Sequence, residues 1–151
     1  MGELVTLSTP AAGPPIPDAA LETHIGILGK TGRGKSYTAR GLVERLLEMQ
    51  RQVVVIDPTG AWWGLRSNPA GDGPGFDIPI FGGDHGDVEI GDKAGEAVAG
   101  VIVEQRASAV IDLSQMSGGG QRRFMTAFAH RLRAKPRGAL YFVVDEADEF
   151  M

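Results

Sequence analysis

The chain has 151 residues, a formal net charge of −4 and no cysteine. This length accommodates one domain, and the lack of cysteine excludes disulfides and thiolate metal sites. The acidic balance does not favour a protein that coats nucleic acid through overall positive charge. No apolar run approaches the roughly 20 residues that span a bilayer, and the N-terminus lacks a signal-peptide pattern. We therefore expect a cytoplasmic protein without a membrane segment.

Strands that alternate with amphipathic helices are predicted along most of the chain. The chain is divided into an N-terminal strand and linker segment, 1–20, and a core domain, 21–151. The first segment contains a proline-rich linker at 10–17. Asp92 is placed to cap the second long helix. Buried strands alternating with helices indicate an α/β fold with a mainly parallel sheet. The predicted strands are 4–7, 24–28, 52–57, 78–81, 109–113 and 140–144, and the predicted helices are 18–22, 36–50, 92–105 and 120–134.

Residues 29–36 have the pattern G-x-x-x-x-G-K-S of a phosphate-binding P-loop. Glycines allow successive backbone N–H groups to surround a triphosphate, and the helix that follows begins with unpaired amides. We expect Lys35 to reach the β- and γ-phosphates and the Ser36 hydroxyl to bind Mg²⁺. The predicted ATP-binding residues are Gly29, Lys30, Thr31, Gly32, Arg33, Gly34, Lys35, Ser36 and Tyr37.

The segment 140–146, Leu-Tyr-Phe-Val-Val-Asp-Glu, has the form of a Walker B motif: an apolar strand that ends in two acids. We expect Asp145 to hold the Mg²⁺ shell, directly or through water, and Glu146 to orient and polarise the attacking water. Glu146 and Lys35 are therefore the predicted catalytic residues, and Ser36 and Asp145 are the predicted metal-binding residues. In a parallel sheet ligands bind at the carboxyl ends of the strands, and the P-loop, Asp57, Asp112 and Asp145 are expected at or near those ends.

Other residues leave more than one interpretation open. Asp57 either contacts the metal's water shell or initiates a turn before Pro58. For Trp62 and Trp63, packing is favoured over stacking on a base. A basic segment is interpreted as a solvated helix face, in preference to a phosphate-contact or inter-subunit surface. Its members are Arg122, Arg123, Arg131, Arg133, Lys135 and Arg137.

Three segments resemble the HerA/FtsK-type ATPases of the P-loop class: His24 to Ala39, Val54 to Leu65 and Asp145 to Phe150. The resemblance implies a RecA-like three-layer α/β sandwich, a hexameric ring of identical subunits, ATP hydrolysis at subunit interfaces and movement of duplex DNA. One departure is Ala61, because many members of that family carry an acid shortly after the Asp-x-x-Gly turn.

Alternatives remain at this stage. Residues 145–148, Asp-Glu-Ala-Asp, spell the second motif of DEAD-box helicases, but the elements expected between the loop and this motif are missing. The chain stops five residues after Glu146, so we expect an N-terminal portion of a longer ATPase. A second class of function is a nucleotide-binding switch or fragment without motor activity. A third is a small-molecule kinase, which is disfavoured because the sequence has no convincing lid motif.

Overall fold

The computed structural model describes residues 4–5, 16–28, 34–68, 70–134 and 139–150. These fall into two compact units, Met1–Gln50 and Arg51–Met151. No helix within the described ranges has the length and apolar character of a membrane span. The boundary proposed at residue 20 between a linker segment and a core remains a prediction.

The first unit contains a short antiparallel strand pair and one long helix. β1 (Leu4–Val5) pairs with β2 (Ile16–Pro17), and a 3₁₀ helix follows at Asp18–Glu22. α1 spans Lys35–Glu48 and buries Leu42, Val43 and Leu46 on one side. The helix predicted from the apolar spacing at i, i+3 and i+4 is thus confirmed, with its ends shifted by one or two residues.

The strand predicted at 24–28 is wrong. These residues have no regular secondary structure, and the side chains of Ile25 and Leu28 are 45% and 94% exposed. A strand requires a neighbour that pairs with its backbone N–H and C=O groups, and no strand among the described residues pairs with this segment. Apolar composition alone does not provide that neighbour.

The second unit contains a four-stranded sheet in which all neighbouring strands are parallel. The strand order is β4–β5–β3–β6. All five residues of β3 are buried, as the continuous run of β-branched residues predicts for a strand covered on both faces. This sheet confirms the prediction of an α/β fold with a mainly parallel sheet and is consistent with the predicted RecA-like fold. The strands are β3 (Val53–Asp57), β4 (Ile80–Phe81), β5 (Ala109–Asp112) and β6 (Tyr141–Val144).

Two helices of the second unit, α2 (Gly95–Gln105) and α3 (Gly118–Ala134), pack against one another. Phe124 and Phe128 of α3 are fully buried, and their rings stack with centroids 5.8 Å apart. These two rings join residues of β3, β5 and α2 in one apolar cluster. Burial of such large side chains is the main source of stability in this unit.

Asp92 does not cap α2, which corrects the prediction made from the sequence. The helix begins at Gly95, with Ala94 as its N-cap and no side-chain cap. Asp92 Oδ2 instead accepts hydrogen bonds from Arg123 of α3, from Nε at 2.8 Å and from Nη2 at 2.5 Å. The Arg123 guanidinium lowers the pKa of Asp92, because it favours the charged carboxylate.

Two arginines of the basic segment contact acids outside α3, and Arg123 with its partner Asp92 is the first of them. Besides Arg123, Arg131 Nη2 lies 3.3 Å from Glu104 Oε1 on α2. Arg122 and Arg133 are exposed, which agrees with a solvated helix face. Lys135 and Arg137 lie outside the described residues.

Gly95 is a point of close approach between α2 and α3, and this gives a stability test. A Cβ at residue 95 would lie 2.3 Å from the backbone oxygen of Phe124, so Gly95→Ala forces the helices apart. We expect a loss of about 2 kcal/mol in the free energy of unfolding, measured by chemical denaturation.

Gly100→Ala in the same helix is the matched control. Its Cβ would meet only the Arg131 side chain, at 3.9 Å, and alanine favours the helix by up to about 1 kcal/mol. Equal stabilities for the two variants would contradict the close packing of α2 on α3.

Candidate active site

Three aspartates lie at the carboxyl edge of neighbouring strands in the second unit. The register pairs Asp57 of β3 with Asp112 of β5, and it pairs Ile56 with Val144, the residue before Asp145. The Asp145 backbone N–H donates to the Ile56 carbonyl at 3.1 Å, which extends the β3–β6 ladder by one step. The predicted convergence of these acids on one edge of the sheet is confirmed, and such edges bind ligands in parallel α/β sheets.

Asp57 organises the turn that follows β3. Its side chain is fully buried, and Oδ1 accepts three hydrogen bonds: from the Thr59 backbone N–H at 3.0 Å, the Thr59 hydroxyl at 3.0 Å and the Gly60 N–H at 2.8 Å. Oδ2 accepts from the Trp62 N–H at 2.8 Å. The sequence left two interpretations of Asp57 open. These contacts favour the one in which Asp57 initiates a turn, because both of its carboxylate oxygens accept hydrogen bonds from residues of that turn.

Asp145 and Glu146 follow β6 directly, as the Walker B pattern predicts. Asp145 Oδ1 accepts a hydrogen bond from the Glu146 N–H at 3.0 Å. Glu146 has a φ of 43°, in the left-handed region that residues with a Cβ rarely adopt. Both side chains are partly exposed, and a 3₁₀ helix, Ala147–Phe150, follows. The acids therefore stand on a sharp turn at the sheet edge, where solvent and ligands have access to them.

A contact that the sequence did not predict joins the turns after β3 and β6. The indole Nε1–H of Trp62 donates to Asp145 Oδ2 at 2.8 Å, across 83 positions of sequence. Trp62 is 1% exposed, whereas Trp63 is 42% exposed and stacks on His85 with centroids 4.3 Å apart. The sequence analysis favoured packing for both tryptophans. Trp62 is packed in the interior and in addition donates this hydrogen bond.

The described end of the P-loop lies in the first unit. Gly34 is the N-cap of α1 with a φ of 84°, and a side chain there would be strained whatever the surrounding space. Among the described residues no side chain caps α1 and no acid lies in its first turn, an arrangement that suits the binding of an anion by its first amides. Lys35 is partly exposed, and Ser36 and Tyr37 are exposed. Gly29, Lys30, Thr31, Gly32 and Arg33 lie outside the described residues.

The side chains present fit a nucleotide-bound Mg²⁺ better than a resident metal. No group of three or more His, Cys, Asp or Glu side chains in the described part of the chain is arranged to hold an ion. Mg²⁺ requires no such cage, because one or two protein oxygens and the substrate phosphates complete its shell together with water. The Ser36 hydroxyl and the Asp145 carboxylate are hard oxygen donors of this type.

Asp112 faces a different part of the second unit. Its Oδ1 accepts the Ser114 N–H at 2.8 Å, and its side chain borders a cavity of about 290 Å³ that is also lined by Glu89, Asp92 and Gln115. Neither Asp145 nor Glu146 lines this cavity. The burial of Asp112 and this hydrogen bond indicate a structural role for its carboxylate.

Part of the chain matches a known protein family. Residues 16–72 match the model of a protein family described as the central domain of the helicase HerA. The matched range contains the whole P-loop pattern, α1, β3 and the turn built by Asp57. No curated protein and no solved structure matches the chain.

The contacts of Asp57 predict a cost for its replacement. In Asp57→Asn, one carboxylate oxygen becomes an NH₂ group, which leaves either the Trp62 N–H or the N–H groups of residues 59 and 60 without an acceptor. We expect a loss of about 2 kcal/mol in the free energy of unfolding, measured by chemical denaturation.

Asp77→Asn is the control, because Asp77 is exposed. Its effect should stay within about 0.5 kcal/mol. If Asp57→Asn were equally mild, Asp57 would not be the residue that builds the turn.

Proposed function

We propose that this protein, whose residues 16–72 match the HerA central-domain family, binds Mg²⁺·ATP and hydrolyses it as the core of a HerA-like motor. The observation that carries the proposal is the family match across the P-loop. The acidic pair at the end of β6 supports it, because hydrolysis needs a carboxylate near the metal shell and a second one near the attacking water.

The proposed roles of the P-loop residues follow from charge and backbone geometry. We assign phosphate binding through backbone N–H groups to the stretch 29–34, as its sequence pattern indicates, and the start of α1 adds partial positive charge. Lys35 donates to the β- and γ-phosphate oxygens, and the Ser36 hydroxyl contributes an oxygen to the Mg²⁺ shell. Bound Mg²⁺ neutralises charge that develops on the phosphates.

The proposed roles of the acids follow from their positions on the turn after β6. Asp145 accepts hydrogen bonds from the water ligands of Mg²⁺ or binds the ion directly. Glu146 orients the attacking water and takes its proton. Phosphoryl transfer depends mainly on positioning and on charge stabilisation, so a fixed turn at this point of the sheet is suited to the reaction.

The partners of the proposed motor come from the family resemblance. We propose that the protein works as a homo-oligomer, a hexameric ring, and that duplex DNA is the polymer it moves. In such rings a neighbouring subunit supplies positive charge to the transferred phosphoryl group, and its removal slows hydrolysis strongly.

Two substitutions separate binding from hydrolysis. Lys35→Ala removes a charged donor to the phosphates, and we expect ATP affinity to fall at least about tenfold. Glu146→Gln preserves shape but cannot take a proton, so binding should persist while the hydrolysis rate falls at least about a hundredfold. Equilibrium binding of a fluorescent ATP analogue and single-turnover hydrolysis measure the two effects.

Lys93→Ala and Asp148→Asn are the matched controls, because both side chains are exposed and lie outside the proposed site. Each should bind and hydrolyse ATP like the parent chain. Hydrolysis by Glu146→Gln at the parent rate would remove Glu146 from its proposed role.

Motor activity is distinguished from simple nucleotide binding by the response to DNA. A translocase couples hydrolysis to movement, so duplex DNA should raise the steady-state ATPase rate severalfold, and the rise should shrink as salt increases. The measurement compares the ATPase rate of the chain with and without duplex DNA. An unchanged rate would favour a nucleotide-binding switch.

A further inference from the structure

The turn after β3 and the turn after β6 are joined through one tryptophan side chain. Trp62 Nε1–H donates to Asp145 Oδ2 at 2.8 Å, and Trp62 is 1% exposed. An indole N–H is a donor that neither accepts a hydrogen bond nor titrates near neutral pH. A buried indole therefore gives the carboxylate a fixed partner at any pH at which the protein works.

Trp62 is held at its backbone as well as at its ring. Its N–H donates to Asp57 Oδ2 at 2.8 Å, and it begins the 3₁₀ helix Trp62–Arg66. Asp57 in turn is fixed by three hydrogen bonds from Thr59 and Gly60. A continuous path of hydrogen bonds thus runs from the end of β3 through Trp62 to the end of β6.

The two donors to Asp145 set the plane of its carboxylate. Oδ2 accepts the indole N–H, and Oδ1 accepts the Glu146 N–H at 3.0 Å. Each carboxylate oxygen can accept more than one hydrogen bond, so acceptor capacity remains on both. Both donors are neutral, so neither places a positive charge beside the carboxylate. A lysine or arginine in place of Trp62 would orient the group but would also neutralise it.

We propose that Trp62 is a positioning residue: its indole N–H orients the Asp145 carboxylate for the water shell of the nucleotide-bound Mg²⁺. This inference rests on the proposed function, in which Asp145 serves that shell. Partners that orient a metal-shell carboxylate typically change metal affinity 10- to 100-fold when they are removed. A residue that only fills the core would change stability and leave the Mg²⁺ requirement alone.

Trp62→Phe tests the proposal, because it retains a buried ring and removes the N–H. The measurement is the Mg²⁺ concentration that gives half-maximal binding of a fluorescent ATP analogue to the full chain. We expect this concentration to rise about tenfold, while affinity for the analogue in EDTA stays unchanged.

Trp63→Phe is the matched control. It removes the neighbouring indole, which is 42% exposed and stacks on His85. Its Mg²⁺ requirement should equal that of the parent chain. If Trp62→Phe matched Trp63→Phe, the proposal would be overturned while the proposed ATPase function stood. A parent chain that binds no nucleotide at any Mg²⁺ concentration would overturn the proposed function itself.

A second measurement covers the case in which Trp62→Phe does not fold. In the Trp63→Phe chain, Trp62 is the single tryptophan, since the sequence contains two. Addition of Mg²⁺ and ATP should change its fluorescence emission, and Asp145→Asn should abolish that change while Asp148→Asn preserves it. An emission that ignores Mg²⁺·ATP, or a response that survives Asp145→Asn, would overturn the proposal.

Discussion

The parallel pairing of β3 with β5 and β6 is the constraint on which the rest of the second unit depends. Because strands in register end together, the pairing of Ile56 with Val144 brings the turns after β3 and β6 side by side. Asp57 and Asp145 come from distant parts of the chain. Asp57 is the last residue of β3, and Asp145 directly follows the adjacent strand β6. A slip of one residue in β6 would reverse which side chains face the core and would carry Asp145 away from its partner.

The two acids at this edge have different environments, and their chemistry follows from that difference. Asp57 is fully buried and directs both oxygens at backbone and side-chain donors of its own turn. Asp145 is partly exposed, with one hydrogen bond to each oxygen. The first carboxylate therefore builds the scaffold, while the second retains the capacity to interact with solvent, a metal shell or substrate. Trp62 connects them, because its backbone N–H donates to Asp57 and its indole N–H donates to Asp145.

Most helices and strands could be predicted from the sequence because the patterns that indicate them are local. The β-branched run of β3 and the apolar stripes of α1 and α3 depend on residues within a few positions of one another. The strand at 24–28 failed because pairing is not a local property. Asp92 was misassigned because Arg123, 31 residues away, takes it as a partner. The Trp62–Asp145 contact had no sequence signal, since it follows from a register that only the folded sheet defines.

The indole N–H signals of the two tryptophans in a ¹⁵N–¹H correlation spectrum test the central claim most directly. Trp62 is expected to exchange its Nε1 proton slowly with solvent, because this proton is hydrogen-bonded and buried, and to shift when Mg²⁺·ATP is added. Trp63 is expected to exchange fast and to shift little. Equally fast exchange for both indoles, or a Trp62 signal that is indifferent to Mg²⁺·ATP, would contradict the link between the scaffold and the proposed catalytic acids.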